Sequence, residues 1–144
     1  MDFMSRFIII IKKMYGGDDV SAVVFDVGSV STRAGHAGED APKFVLPSLV
    51  GQITEEKTED DMTVESTRNI VGPNIHFRRD NMQLQPLVKQ GFIYDINSLE
   101  SMLSHLCFNS LRIEPKDHPM CFVEPNLNTT ENRHRTAQLV FEKY

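Results

Sequence analysis

The stretch Ser21–Val27, SAVVFDV, limits the fold of this chain more than any other segment. It is dense in apolar and β-branched residues, a pattern typical of a strand that is buried on both faces. A Gly-Ser pair interrupts the run, and the small and β-branched residues of Ser31–Ala37 then indicate an antiparallel return strand. A third run, Lys43–Gly51, contains Pro47, so we expect this strand to lie at a sheet edge or to bend at the proline.

The turn between the first two strands has the residue types of an anion site. Asp26 is a carboxylate at the end of a buried strand, where it could hold a hydrated Mg²⁺. Gly28 would let consecutive backbone N–H groups point at one anion. Ser29 adds a hydroxyl donor, and Arg33 on the return strand adds a fork of donors. Tight turns between core strands often share this pattern, so two interpretations stand here: a phosphate-binding hairpin, or a purely structural turn.

Residues 52–85 differ in character from the stretches on either side. They are acidic, then basic, and poor in large apolar side chains, which predicts a flexible insertion that is partly disordered over Thr54–Asn69. Order returns at Pro86 with a helix for which Asp95 or Asn97 can provide the N-cap. Its apolar residues recur at helical spacing and predict a core face, made of Leu99, Met102, Leu103, Leu106, Cys107 and Leu111.

Two further elements are predicted near the C-terminus. His118–Pro125 has the pattern of a short buried strand, and Asn128 or Thr129 can open a last helix. On that helix, Ala137, Val140, Phe141 and Tyr144 are predicted to lie on one face. The order strand, strand, strand, insertion, helix, strand, helix indicates an α/β fold.

Charge and composition exclude several classes of protein. The formal net charge of −5 gives no sequence-wide basic footprint, so direct sequence-specific DNA binding is not expected. The five histidines occur singly, which argues against zinc. Cys107 and Cys121 lie in apolar surroundings and are predicted to be buried free thiols of a reducing compartment, not a disulfide.

The N-terminal segment carries a short apolar run. Phe7–Ile11 is too short to span a membrane, and no small-residue cleavage site follows it. We therefore expect no membrane association. Residues 1–13 are predicted to be a disordered extension, with Met14 as the natural start of the protein.

Several motifs in this chain resemble the actin family. FDVGSVSTRAGHAGEDAPKFVLPSLVG is similar to the first phosphate-binding hairpin of that family. LVKQGFIYDINSLESMLSHLCFNSLRIEPKDHPMCFVEPNLNTTENRHRTAQLVFEKY parallels the family's next helix, His-Pro strand and following helix, nearly element by element. The resemblance covers residues 14–144 apart from the insertion. It implies the N-terminal part of an actin-like (ribonuclease-H-like) ATPase fold, which is an α/β fold with a mixed sheet, flanking helices and a small inserted subdomain.

The resemblance also implies roles for the residues of the turn. Asp26 would face Mg²⁺ through water, and the backbone of Gly28, Ser29 and Val30 with the Ser29 hydroxyl would hold the β- and γ-phosphates of ATP. Arg33 would take the place of the family's phosphate-contacting lysine. Conventional actins have glycine where this chain has Val30, and the larger side chain would crowd the phosphate and disfavour hydrolysis more than binding.

Within the family, MYGGDDVSAVVFDVGS and the following TRAG are similar to the nuclear actin-like subunits of SWI/SNF-type chromatin-remodelling and histone-acetyltransferase complexes. That resemblance implies a nuclear scaffold that regulates transcription by docking other proteins. The implied partners are a helical segment of the remodelling ATPase, actin itself and, as a further candidate, histones.

The resemblance does not favour an enzyme. The family's second phosphate loop, adenosine pocket and water-positioning residue lie beyond the position that matches Tyr144. We therefore expect ATP with Mg²⁺ to bind in a full-length relative. In this chain we expect weak nucleotide binding or none, and no catalytic residue. The alternatives are an actin-fold ATPase or cytoskeletal protein that hydrolyses ATP, and a truncated gene product without independent function.

Overall fold

The computed structural model describes residues 6–11, 20–59, 62–77, 79–125 and 128–144 of the 144-residue chain. Ten strands are present: β1 Arg6–Ile11, β2 Val23–Val27, β3 Ser31–His36, β4 Phe44–Pro47, β5 Leu49–Glu59, β6 Met62–Ile70, β7 Met82–Pro86, β8 Val88–Lys89, β9 Phe92–Ile93 and β10 Met120–Pro125. The helices are α1 Ile96–Ser104, a π-helical continuation His105–Leu111, and α2 Thr130–Lys143, with 3₁₀ turns at Gly72–His76 and Pro115–Asp117.

Five strands form the central sheet, in the order β1-β10-β2-β3-β4. β10 runs parallel to β2, and the other neighbouring pairs are antiparallel, so the sheet is mixed. β5, β6 and β7 form a separate three-stranded antiparallel sheet. The predicted α/β architecture with a mixed sheet, flanking helices and a small inserted subdomain is confirmed.

The third predicted strand is divided at one residue. Pro47 ends β4, which is an edge strand of the central sheet, and the chain bends at Ser48 before β5 begins. Both expectations for the proline are therefore confirmed. The bend is buried, and the Ser48 hydroxyl lies 2.8 Å from that of Thr32, so each polar group has a partner inside the protein.

The first helix begins at Asp95, whose side chain accepts hydrogen bonds from the backbone N–H groups of Asn97 and Ser98. Asn97, the other candidate cap, lies inside the first turn instead. All six predicted stripe residues are buried, so the predicted core face is confirmed. The helix ends at Arg112, which adopts a left-handed conformation with φ 57°.

The core lies between the central sheet and the two helices. Phe25 and Phe122, from the two parallel strands, stack with their ring centroids 5.1 Å apart. The sheet and the helices contribute to one buried cluster, which includes Val23, Phe25, Ala34, Met120, Phe122, Leu99, Met102, Leu103, Leu106 and Val140.

The last helix is capped by the Thr129 hydroxyl, which accepts from the backbone N–H of Asn132. Val140 and Tyr144 are buried, and Ala137 packs against the core. Phe141, which was grouped with these residues on one face, has a side chain that is 58% exposed. Thr136, one helical turn before Val140, is buried as well.

The predicted extension over residues 1–13 contains a strand. Arg6–Ile11 forms a strand that pairs with β10 along six residues. Sequence reasoning tested the apolar run only as a membrane or targeting segment, although β-branched residues are equally suited to the edge of a sheet. Residues 1–5, 12 and 13, and the proposed start at Met14, lie outside the described residues.

The described part of the predicted insertion over residues 52–85 contains paired strands. β5 and β6 pair over nine residues of each strand, and β7 adds to the other side of β5. The acidic residues made the strand pattern harder to recognise. That pattern is present, because β-branched residues recur through this stretch and Ile53 and Ile70 are buried. The insertion is held to the core where Gly72, with φ 74°, packs against the ring of His105.

The two cysteines are free thiols, Cys107 buried and Cys121 half-buried, which confirms that they do not pair with each other. Burial and, to a smaller extent, the negative charge of Glu114 raise the pKa of Cys107 to about 12 from an ordinary value of 9.0. No helix in the described ranges is both long and apolar enough to cross a membrane.

The Cys107 thiol predicts how stability depends on alkaline pH. In the unfolded chain this thiol ionises near pH 9, whereas in the folded chain it stays protonated to about pH 12. The unfolded state therefore loses the proton first, and the stabilising contribution, complete below pH 9, falls as pH rises. In urea unfolding above pH 9, the free energy of unfolding should fall more steeply in the unmodified chain than in Cys107→Ala, by up to about 1.4 kcal/mol per pH unit. Cys121→Ala is the matched control, and parallel curves for all three proteins would contradict the prediction.

Candidate functional site

The candidate turn joins two paired antiparallel strands of the central sheet. Asp26 lies opposite Arg33, and Val27 lies opposite Thr32 in the ladder. The ladder closes where the backbone N–H of Gly28 donates to the carbonyl oxygen of Ser31 over 3.1 Å. The hairpin geometry expected of an anion-binding turn is therefore present.

Gly28 is required at this turn by close packing. A Cβ atom placed on Gly28 would lie 2.9 Å from the carbonyl oxygen of Ser31, closer than real Cβ contacts allow. Any other residue would have to open the turn by displacing backbone. The glycine therefore sets how tightly the chain reverses, and with it the direction of the following N–H groups.

A series of backbone hydrogen bonds links the turn to the rest of the molecule. The carbonyl oxygen of Val30 accepts from the N–H of Ser48 over 3.0 Å, and the carbonyl oxygen of Ser48 accepts from the N–H of Leu87 over 2.9 Å. The carbonyl oxygen of Leu87 in turn accepts from the N–H of Tyr94 over 3.0 Å. The turn is thus held by the bend at Ser48, which leads into the insertion, and by residues that follow the insertion.

Asp26 and Arg33 face each other across the two strands. The guanidinium of Arg33 lies 3.6 Å from the carboxylate of Asp26, and the two side chains are 52% and 21% exposed, respectively. An ion pair with this exposure contributes only about 0–1 kcal/mol. The ion pair mainly fixes the position of Arg33, which it keeps close to the carboxylate that was predicted to face Mg²⁺.

Three of the five predicted site residues line one cleft. Asp26, Gly28 and Ser29 line a cleft of about 170 Å³. Its other walls are the β8–β9 hairpin, through Val88 and Gly91, and the end of β10. Arg33 lines an adjoining depression, to which Asp26 also contributes. Val30 lies at the tip of the turn, where it is 85% exposed. The turn therefore brings together the carboxylate, the glycine and the hydroxyl, and places the arginine and the valine around them.

Sequence reasoning missed Glu124, a buried residue that lines the same cleft. Glu124 accepts hydrogen bonds from the Arg133 guanidinium and, over 2.7 Å, from the Asn128 side-chain amide. It ties the end of β10 to the first turn of α2. The available signal was the alternation of Met120, Phe122 and Glu124 along a buried strand, which places a carboxylate at the strand's carboxyl end in the same way as Asp26.

The donor set at this cleft is compatible with Mg²⁺ and phosphate. Mg²⁺ prefers carboxylate and water oxygens and takes few protein ligands, which suits the partly exposed carboxylate of Asp26. The Ser29 hydroxyl and the turn backbone would meet the phosphate, and Arg33 would approach it from the adjoining depression. Within the described ranges, no group of three or more His, Cys, Asp or Glu side chains could hold a metal ion by itself. These roles stay predictions.

Comparison with known proteins identifies relatives along most of the chain. The sequence profile of the family described as Actin matches residues 17–144. "Actin-related protein 4" of Oryza sativa subsp. indica is 38% identical over 154 residues, covering 91% of this chain and 35% of the rice protein. "Actin-related protein 4" of Arabidopsis thaliana is 37% identical over 151 residues, covering 91% of this chain and 34% of that protein. This chain thus spans about a third of the length of these two relatives.

A shorter relative matches over nearly its whole length. "Actin-related protein 4A" of Arabidopsis thaliana is 38% identical over 142 residues, which cover 89% of this chain and 98% of that protein.

We expect the Glu124–Arg133 pair, whose carboxylate is buried, to contribute more to the free energy of unfolding than an exposed ion pair does. Glu124→Ala would remove the acceptor that the Arg133 guanidinium and the Asn128 amide share and should lower the free energy of unfolding by about 1–3 kcal/mol. Glu131→Ala removes an exposed pair with Arg135 on the same helix and should change it by no more than about 0.5 kcal/mol. Urea unfolding of both variants measures this, and equal losses would show that Glu124 has no special structural role.

Proposed function

This chain belongs to the actin family, and on that premise we propose that it is an actin-related subunit of nuclear chromatin-remodelling or histone-acetyltransferase complexes. In this role it docks partner proteins and does not turn over ATP. The observation that carries the proposal is the similarity to relatives named Actin-related protein 4 and Actin-related protein 4A, the second of which the chain covers almost completely.

The geometry of the turn supports docking over turnover. Val30 occupies the exposed tip of the phosphate turn, where a β-branched side chain restricts the backbone that would wrap around a phosphate. A phosphate held here would stay in contact with water, which weakens each of its polar contacts.

A pair of exposed aromatic side chains is the docking surface that we assign to this function. Phe108 is 49% exposed on the π-helical segment, and Phe141 is 58% exposed on α2. The rings of Phe108 and Tyr144 are 6.4 Å apart, and Phe141 precedes Tyr144 by three residues at the end of α2, so both exposed aromatics belong to the region around the C-terminus of this helix. Exposed aromatic residues are common anchors in protein interfaces, and an amphipathic helix of a remodelling ATPase is the partner proposed for them.

The docking proposal predicts a loss of binding when these aromatics are removed. The purified chain should bind a helical segment of the remodelling ATPase. Combining Phe108→Ser with Phe141→Ser should raise the dissociation constant on the order of tenfold or more. Phe77→Ser is the matched control, since Phe77 is also exposed but lies in the insertion. Isothermal titration calorimetry measures the affinities, and circular dichroism checks that each variant is folded. Equal affinity for the double variant and the control would refute this surface.

The second candidate function is an actin-fold ATPase. The observation in its favour is that Asp26, Gly28 and Ser29 line one cleft with Arg33 beside it. When bound, ATP with Mg²⁺ would supply the phosphoanhydride and the charge that neutralises it. The residues of the chain would hold the phosphates through Ser29 and Arg33 and orient the hydrated ion through Asp26.

The two candidates are separated by the behaviour of ATP. We expect no turnover above background and a dissociation constant for MgATP of about millimolar or weaker, because the available contacts are few and partly exposed. Asp26→Asn is the control for any binding that remains, since binding at this turn should weaken further in that variant. Low-micromolar MgATP binding that is lost in Asp26→Asn, or steady release of phosphate, would favour the ATPase.

A further inference from the structure

A polar cleft of about 460 Å³ lies between the insertion and the first helix. The end of β6 and the residues that follow it form one wall, and α1 with its π-helical continuation forms the other. From the helix, Ser101, His105 and Asn109 line the cleft at intervals of four residues, a spacing that places side chains in one row. The helix therefore presents a polar row to the cleft in addition to the apolar stripe that it buries in the core.

One asparagine joins the two walls and keeps an unused acceptor. The side-chain amide of Asn69 donates to the Ser101 hydroxyl over 3.0 Å and to the carbonyl oxygen of Asn97 over 3.4 Å. The Oδ1 atom of Asn69 is buried and has no hydrogen-bond partner within the described ranges. Because buried polar atoms are normally paired, this acceptor favours a ligand that carries N–H groups, as a peptide backbone does.

The cleft is positively charged although the chain carries a net charge of −5. Arg68 and Arg79 line it, and both side chains are exposed. In the part of the chain that the structure describes, neither arginine forms a salt bridge with a carboxylate. Glu100 also lines the cleft, but its carboxylate is bound by Lys143. Two guanidinium groups are therefore available to an anionic ligand.

The chemistry of the cleft favours an acidic peptide over a nucleic acid. Guanidinium groups bind carboxylates through paired hydrogen bonds, and a peptide also supplies N–H groups for Asn69. The phosphate backbone of DNA has no N–H groups, and the negative charge of the chain opposes the approach of such a polyanion. Phe108, which is 49% exposed, adds an apolar contact at the same cleft.

We propose that this cleft binds an acidic peptide segment of a partner protein. Carboxylates of the segment pair with Arg68 and Arg79, a backbone N–H donates to Asn69, and an apolar side chain packs on Phe108. The charged part of this site does not depend on the docking surface formed by Phe108 and Phe141.

Fluorescence anisotropy of the full chain with a labelled peptide tests the site. The probe is a short glutamate-rich peptide with one leucine, and its matched control has glutamine in place of each glutamate. The glutamate peptide should bind on the order of tenfold more tightly, because only its carboxylates pair with Arg68 and Arg79. This preference should shrink between about 0.1 M and about 1 M salt, since the screening length falls from about 10 Å to about 3 Å.

Two double variants locate the binding. Arg68→Gln combined with Arg79→Gln should raise the dissociation constant of the glutamate peptide on the order of tenfold. Lys116→Gln combined with Arg135→Gln is the matched control, since it removes the same charge from exposed residues that do not line the cleft, and it should change the dissociation constant by no more than about twofold. Both exposed phenylalanines of the docking surface stay in place, so failure of this proposal is distinguishable from failure of that one.

Four results would overturn the proposal. The first is equal affinity of the unmodified chain for the two peptides, a comparison that does not depend on whether any variant folds. The second is an equal loss of affinity in both double variants, which would show a general effect of charge. The third is tighter binding of a short DNA duplex that is lost in the variant lacking Arg68 and Arg79. The fourth is self-association of the unmodified chain that the same variant abolishes, because the acidic insertion of a second copy would then occupy the cleft.

Discussion

The structure depends on the parallel pairing of β2 with β10. These strands lie almost a hundred residues apart in the chain, and the N–H of Val23 donates to the carbonyl oxygen of Pro119 over 2.8 Å where they meet. Phe25 and Phe122 stack across the same pair, which anchors the buried cluster under α1. Because parallel strands place their carboxyl ends at one edge of a sheet, Asp26 and Glu124 both reach the same cleft.

The cleft is held from two directions. On one side the β2–β3 turn is bonded through Val30 and Ser48 to the residues after the insertion. On the other side, Glu124 joins the end of β10 to α2 through Arg133 and Asn128. A tight turn that would be mobile as an isolated hairpin is thereby fixed against two further parts of the fold. Such preorganisation suits recognition of a phosphate or of another protein, so the rigidity of the turn does not by itself decide between the two functions.

The two predictions about backbone order, an extension over residues 1–13 and an insertion over residues 52–85, rest on criteria of the same kind. Sequence reasoning judged residues 52–85 by charge and residues 1–13 by the length needed to span a membrane. Neither criterion measures whether a strand has a partner. β5 is stabilised by pairing with both β6 and β7, and β1 by pairing with β10, and these hydrogen bonds are made regardless of the polarity of the solvent-facing side chains.

The local elements of this fold could be predicted from neighbouring residues alone. The β-branched run of β2, the Gly-Ser turn, the cap at Asp95 and the apolar stripe of α1 each follow from preferences that act within a few residues. The partners of distant residues became known from the folded chain: β1 at the edge of β10, Glu124 in the cleft of Asp26, and Phe141 at the surface. The reason is that local conformation depends on neighbours along the chain, whereas pairing and burial depend on which remote segment arrives, and that is set by the packing of the whole core.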